Sequence, residues 1–146
     1  MTPTFEKKEL FRNPKLVIRK SKHHGWGVFT TEDIEPMEVL EESPYFVVFD
    51  DEYKEDSYIT TYSYGLHDDV NVIPLGFAGL YNHSPKANAD SAFNEYHSFI
   101  THFATKKIKA DSEIFIDYGI GDPINFTEPW PENDAESKEQ GRLLDE

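Results

Sequence analysis

Apolar residues along this chain come in short runs, most of them alternating with polar ones. "KLVIRK" (Lys15 to Lys20) reads as a strand and "SKHHGWG" as the turn after it. "VFTTEDI" continues as strand and connection, and Pro36 interrupts before "MEVLEE". "YFVVF" (Tyr45 to Phe49) is a dense β-branched and aromatic run, with Phe46 read as core packing. The charged "DDEYKED" predicts an exposed loop, and "SYITTYSYGL" (57–66) fits a short helix or an irregular segment equally. "VNVIPLGFAGLY" is strand-like, but Pro74 and Gly76 should let it pair only in pieces. "HSFITHFATKKI" (His97 to Ile108) alternates as a strand, "KADSE" turns, and "IFIDYG" (Ile114 to Gly119) reads as a buried strand. Many short strands and almost no helix make the expected class mainly β.

Residues 1–14 read as a loose lead-in and 15–120 as the folded body, with no internal repeat. From Gly121 prolines and charges take over, so 121–146 is an acidic, Pro-rich segment whose end should be disordered. Its two aromatics, Phe126 and Trp130, would fold back onto the body.

A chain of 146 residues fits one domain with its own core. It contains no cysteine, which excludes disulfides, thiolate metal sites and a cysteine nucleophile. No secretion signal or run of about 18 apolar residues is visible, so the expectation is a soluble intracellular protein without a membrane partner. The 28 acidic and 14 basic side chains leave a net charge of −14. That charge repels phosphate backbones, so direct nucleic-acid binding is disfavoured, and it attracts a Lys/Arg-rich partner. The simpler reading of such charge is solubility.

Candidate chemistry begins at "GLYNHSPKANA" (Gly79 to Ala89), where an apolar run ends in Asn82-His83-Ser84. Burying an amide and an imidazole unpaired costs roughly 1–3 kcal/mol each, so the chain or a ligand must satisfy them. Gly25-Trp26-Gly27 is not a dinucleotide loop, because Thr30 stands where the third glycine is needed. It reads as a turn, or as a bend that lets a ligand approach the main chain. The adjacent His23-His24 and the absence of H-x-x-x-H spacing argue against a metal site. No G-x-S-x-G is present. Asn82-His83-Ser84 and Asn125-Phe126-Thr127 match a glycosylation pattern by chance, given no secretion signal.

Taken in order, Gly25-Trp26-Gly27-Val28-Phe29, Gly79-Leu80-Tyr81-Asn82-His83-Ser84 and Glu113-Ile114-Phe115-Ile116-Asp117-Tyr118-Gly119 resemble the SET-domain protein lysine methyltransferases. The likeness runs from about Lys15 to Gly119 and is greatest to small stand-alone members of viral or microbial type. It implies several small curved sheets closed by a C-terminal pseudoknot, a rare exception to unthreaded chains. It also implies S-adenosyl-L-methionine as methyl donor, contacted by His24, Gly25, Trp26, Gly27, Tyr62, Asn82, His83 and Trp130. Tyr118 would be the catalytic tyrosine, and Tyr45, Tyr62, Tyr64 and Ile116 would line a substrate channel.

The substrate so implied is lysine on a basic protein, such as a histone tail, which would place the protein in a nucleus. A homodimer would support the cleft of so small a domain. The rival is a SET-fold module that binds peptides without catalysis; intact Asn82, His83 and Tyr118 speak against it. This chain also departs from its relatives. Gly79-Leu80-Tyr81 stands where many carry Arg or Phe, and Gly121-Asp122 replaces an aromatic that covers the adenine. Ile116 stands two before Tyr118, so the family's Phe/Tyr guide to methylation number does not transfer.

Overall fold

The structure, a computed structural model, describes residues 7–49, 63–68 and 70–118. Tyr62, Phe126, Trp130, the expected exposed loop at 50–56 and the expected disorder of 121–146 therefore lie outside the described residues. Among those described there are nine strands in three sheets and no helix.

β1 (Leu16–Lys20) and β2 (Trp26–Thr30) form an antiparallel pair, with Leu16 opposite Thr30. Their connection closes through Ser21 N–H to the Gly25 carbonyl at 2.7 Å, and Gly25 has φ +47°. That left-handed backbone is open to glycine without a Cβ penalty, which explains why the turn sits where it does.

The central sheet has the order β4-β5-β3-β8-β7, all antiparallel. Its spine is β3 (Val39–Phe49), flanked by β5 (Val70–Pro74) and β8 (Phe99–Ala104). The register of β3 against β8 shifts between Val39 and Glu41, so Leu40 and Glu41 are both buried before strict alternation resumes. From there Glu41, Ser43 and Tyr45 face inward and Pro44 and Phe46 outward. The expectation of Phe46 in the core is thereby corrected: it is 61% exposed, because the phase set by the bulge gives the inward position to Tyr45.

β5 stops at Pro74, as the proline and the following Gly76 predict. β4 (Tyr64–His67) resolves part of the ambiguous 57–66 segment as a strand. β7 (Ala89–Asn94), a partner of β8 across six residue pairs, was not expected from the sequence.

The main core joins Val28, Ile34, Leu40, Tyr81, Ala104, Ile108, Ile114 and Ile116. Tyr45, Val72 and Ile100 form a second cluster on the central sheet. Two short strands close the body: β6 (Asn82–His83) pairs in parallel with β9 (Phe115–Ile116). That pairing brings sequence positions more than thirty apart into one ladder and carries the candidate site.

Candidate functional site

β6 and β9 set Asn82 opposite Phe115 and His83 opposite Ile116. Asn88 locks the crossing. Its backbone N–H donates to the Phe115 carbonyl at 3.2 Å, its side-chain oxygen accepts from Phe115 N–H at 2.8 Å, and its amide nitrogen donates to the Glu113 carbonyl at 3.0 Å. β2 lies against the same region, since Ile114 N–H donates to the Val28 carbonyl at 2.8 Å. Three distant segments thus meet at one place.

The polar groups at the end of "GLYNHS" are satisfied by the chain itself. The Asn82 amide nitrogen donates to Glu113 Oε2 at 2.7 Å and to the His24 carbonyl at 3.1 Å. Both amide hydrogens are then spent, and the side-chain oxygen is left as the acceptor. Glu113 Oε1 accepts from Ser21 Oγ at 2.7 Å, so a single buried carboxylate ties the β1–β2 turn to Asn82. Gly27 passes directly over this pair: a Cβ there would stand 2.4 Å from Glu113 Oε2 and 3.0 Å from Asn82 Nδ2.

His83 Nδ1 accepts from Tyr118 N–H at 3.0 Å, and the two rings lie 5.2 Å apart. A ring nitrogen that accepts from a backbone donor must carry its lone pair, so the neutral imidazole has its proton on Nε2. β9 ends at Ile116, so among the described residues of the expected strand 114–119 only Phe115 and Ile116 are strand. Tyr118 swings its hydroxyl back to donate to the Tyr81 carbonyl.

Tyr64 reaches the same place from β4. Its hydroxyl donates to the Ala78 carbonyl at 2.8 Å and meets His102 Nε2 at 3.2 Å. With its proton given to Ala78, it receives the His102 N–H, and His102 Nδ1 has no partner among the described residues. Burial, with Tyr118 and Glu41 nearby, pushes the Tyr64 phenol well above the usual tyrosine range, so this side chain stays neutral. Burial alone holds the His102 imidazole down at about 4.

The remaining sequence candidates fall on either side of this centre. His24 supplies its carbonyl to Asn82, and burial lowers the pKa of its imidazole. Gly25 lies in the adjoining turn, and Trp26 opens β2 half-exposed. Ile116 is buried in the main core beside His83. Tyr45 sits in the second cluster, against which Tyr64 and Phe93 also pack, and the Phe93 ring centroid is 6.1 Å from Tyr45 and 6.4 Å from Tyr64. Tyr62 and Trp130 lie outside the described residues. Glu113 and Ser21 were not singled out from the sequence as site residues. The signal for Glu113 was its place at the head of the third motif; Ser21 offered none.

A family model described as "SET domain" matches residues 25–119. The chain belongs to the SET-domain family. A curated relative from Schizosaccharomyces pombe, a histone-lysine N-methyltransferase specific for H3 lysine-37, is 27% identical over 113 residues, covering 75% of this chain and 76% of its own. A solved structure from Plasmodium falciparum, described as a candidate histone methyltransferase, superposes with a TM-score of 0.65 at 30% identity. It covers 75% of this chain and 96% of the other. A Polycomb Repressive Complex 2 structure from Chaetomium thermophilum, a humanized mutant bound to an inhibitor, gives a TM-score of 0.57 at 28% identity. There the match covers 77% of this SET chain and 16% of the other. Together these make the chain a SET-domain protein-lysine methyltransferase with the mainly β fold of that family.

Proposed function

We propose that this SET protein uses S-adenosyl-L-methionine to methylate the side-chain amine of lysine on a basic protein, with a histone tail as the favoured substrate. The observation that carries the reading is the double hold on Tyr118: its N–H on His83 and its hydroxyl on the Tyr81 carbonyl. That hold supports a phenol kept beside His83, the residue next to Asn82.

The residues fit the donor. Asn82 keeps one acceptor oxygen for an ammonium group, and His24, Gly25 and Trp26 offer main-chain groups beside it. A Cβ at Gly25 or at Gly79 would meet nothing within 4 Å, so space remains at both motifs. When bound, S-adenosylmethionine supplies an electrophilic methyl group on a sulfonium centre.

The chain must present lysine as the neutral amine. Against a reference pKa of about 10.4, neutralising it at pH 7 costs roughly 4.6 kcal/mol. Tyr64 and Tyr118 contribute desolvation, because neutral phenol walls replace water around the ammonium. Tyr118 also orients the amine. Its proton is committed to Tyr81, so toward an amine N–H its oxygen acts as an acceptor. Alignment of this kind supplies much of a transfer rate. The net charge of −14 supports a cationic substrate, and the fission-yeast relative's histone H3 specificity supports a histone. Such a substrate would place the enzyme in a nucleus.

Radiolabelled methyl transfer to a histone H3 peptide tests the proposal, with Tyr118→Phe as the comparison. The variant should lose most transfer while calorimetry still detects cofactor binding. Undiminished turnover in the variant would refute the role of Tyr118, and absence of any binding heat in the parent would refute the enzyme reading.

A further inference from the structure

The surroundings of Tyr81 give its hydroxyl a purpose beyond filling the core. The side chain is fully buried, and its hydroxyl donates to Glu41 Oε1 at 2.8 Å. Glu41 is itself only 1% exposed. Its second oxygen accepts from Phe77 N–H at 3.3 Å and lies 3.6 Å from Arg12 Nε. Arg12 in turn spreads its guanidinium over the Phe77 ring, 3.9 Å from the centroid. On its other side the Tyr81 ring stacks on His102, with centroids 4.7 Å apart and planes 29° from parallel.

A carboxylate buried so far inside is costly unless every partner is in place. A phenylalanine at position 81 would fill the same volume without needing one. What the hydroxyl adds is a fixed height for its own residue, and the carbonyl of that residue holds the Tyr118 hydroxyl. The link therefore runs Arg12, Glu41, Tyr81, Tyr118, from the edge of the domain to the candidate reacting centre.

We propose that Tyr81, anchored by Glu41, is a positioning residue for methyl transfer: it sets the place of the Tyr118 hydroxyl through its own main-chain carbonyl. The inference rests on the reading of Tyr118 as the tyrosine that orients the amine.

Single-turnover transfer to a histone H3 peptide and cofactor calorimetry test it together on full-length protein. Tyr81→Phe should slow transfer about tenfold, the scale on which small misplacements act, and leave the cofactor dissociation constant within about twofold. Glu41→Gln, which keeps an acceptor before the hydroxyl, should retain most of the rate that Glu41→Leu loses. Arg12→Met, at the half-exposed outer end, should show a smaller loss of the same kind without threatening the core. In the Tyr118→Phe background, Tyr81→Phe should cost nothing further, since both act through one hydroxyl. A full rate in Tyr81→Phe overturns the proposal, as does a loss that adds to that of Tyr118→Phe or weakens cofactor binding equally. Should Tyr118→Phe alone transfer at the parental rate, the fault lies with the underlying reading of Tyr118.

Discussion

The Asn82 amide nitrogen lies 2.7 Å from Glu113 Oε2, and this contact decides which way the amide faces. An unassisted asparagine can present either its oxygen or its nitrogen to a ligand. With a buried carboxylate on the nitrogen side, only the oxygen can point toward a cationic amine. The third motif thus completes the second, although Glu113 need not touch the donor. Glu113→Ala should remove a hydrogen bond to a charged group, worth about 1.5–3 kcal/mol. Cofactor binding measured by calorimetry should weaken by at least about tenfold, with a smaller loss in Ser21→Ala. Unchanged affinity in Glu113→Ala would show that Asn82 finds its orientation elsewhere.

Gly27 has a steric role that Gly79 lacks. A Cβ on Gly27 would press within 2.4 Å of Glu113 Oε2 and 3.0 Å of Asn82 Nδ2, whereas one on Gly79 meets nothing within 4 Å. Glu113 is pinned by Ser21 and Asn82, so it cannot withdraw at small cost. Gly27→Ala should therefore lower stability by about 1–3 kcal/mol in urea melts and weaken cofactor binding. Gly79→Ala should match the parent in stability, and equal effects from the two would contradict the packing described here.

His102 makes stability depend on pH in a definite direction. Burial holds its folded pKa at about 4, against 6.5 for a free imidazole. Above pH 6.5 both folded and unfolded chains leave it neutral, so its contribution there is constant. As pH falls below 6.5 the unfolded chain takes up a proton that the folded chain refuses, and stability drops until about pH 4. The loss should approach about 3 kcal/mol across that window. His102→Phe keeps a ring against Tyr81 and removes the titration. Urea midpoints at pH 7 and pH 4.5 should therefore differ less in the variant than in the parent. An identical acid loss in both would assign it to the carboxylates.

How far the sequence discloses all this depends on what each residue does. Asn82 and His83 drew attention as polar groups closing an apolar run, whereas Gly27 and Tyr118 entered only through the resemblance of their motifs to the SET family. Strands rich in β-branched residues, such as Leu16–Lys20 and Phe99–Ala104, were legible from alternation. β7 was not, because "ADSAFN" has little intrinsic strand preference and is a strand only by pairing with β8. Glu41 was hidden for a different reason. In "VLEESP" it looks like surface charge, and only the bulge before it turns it into the core beside Tyr81. The same phase shift exposes Phe46. A bulge is a tertiary decision, and no periodicity along one strand can report it.

The surplus of acidic residues admits two readings, and ionic strength separates them. If a net charge of −14 serves only solubility, salt should leave catalysis nearly untouched. If it draws a Lys/Arg-rich tail toward the site, the attraction is long-ranged. It should then fade as the screening length falls from about 10 Å at 0.1 M salt to about 3 Å at 1 M. The contacts around Asn82 and Tyr118 are short and largely buried, so the same salt should not disturb them. The expected pattern is therefore a split. For a basic peptide, KM should rise at least about tenfold between those two salt concentrations, while kcat holds within about twofold. A peptide with the same lysine but uncharged flanks should begin with a high KM and barely respond. Parallel salt curves for the two peptides would leave the acidic surface with solubility as its whole purpose, and substrate choice would then rest on the walls around Tyr64 and Tyr118.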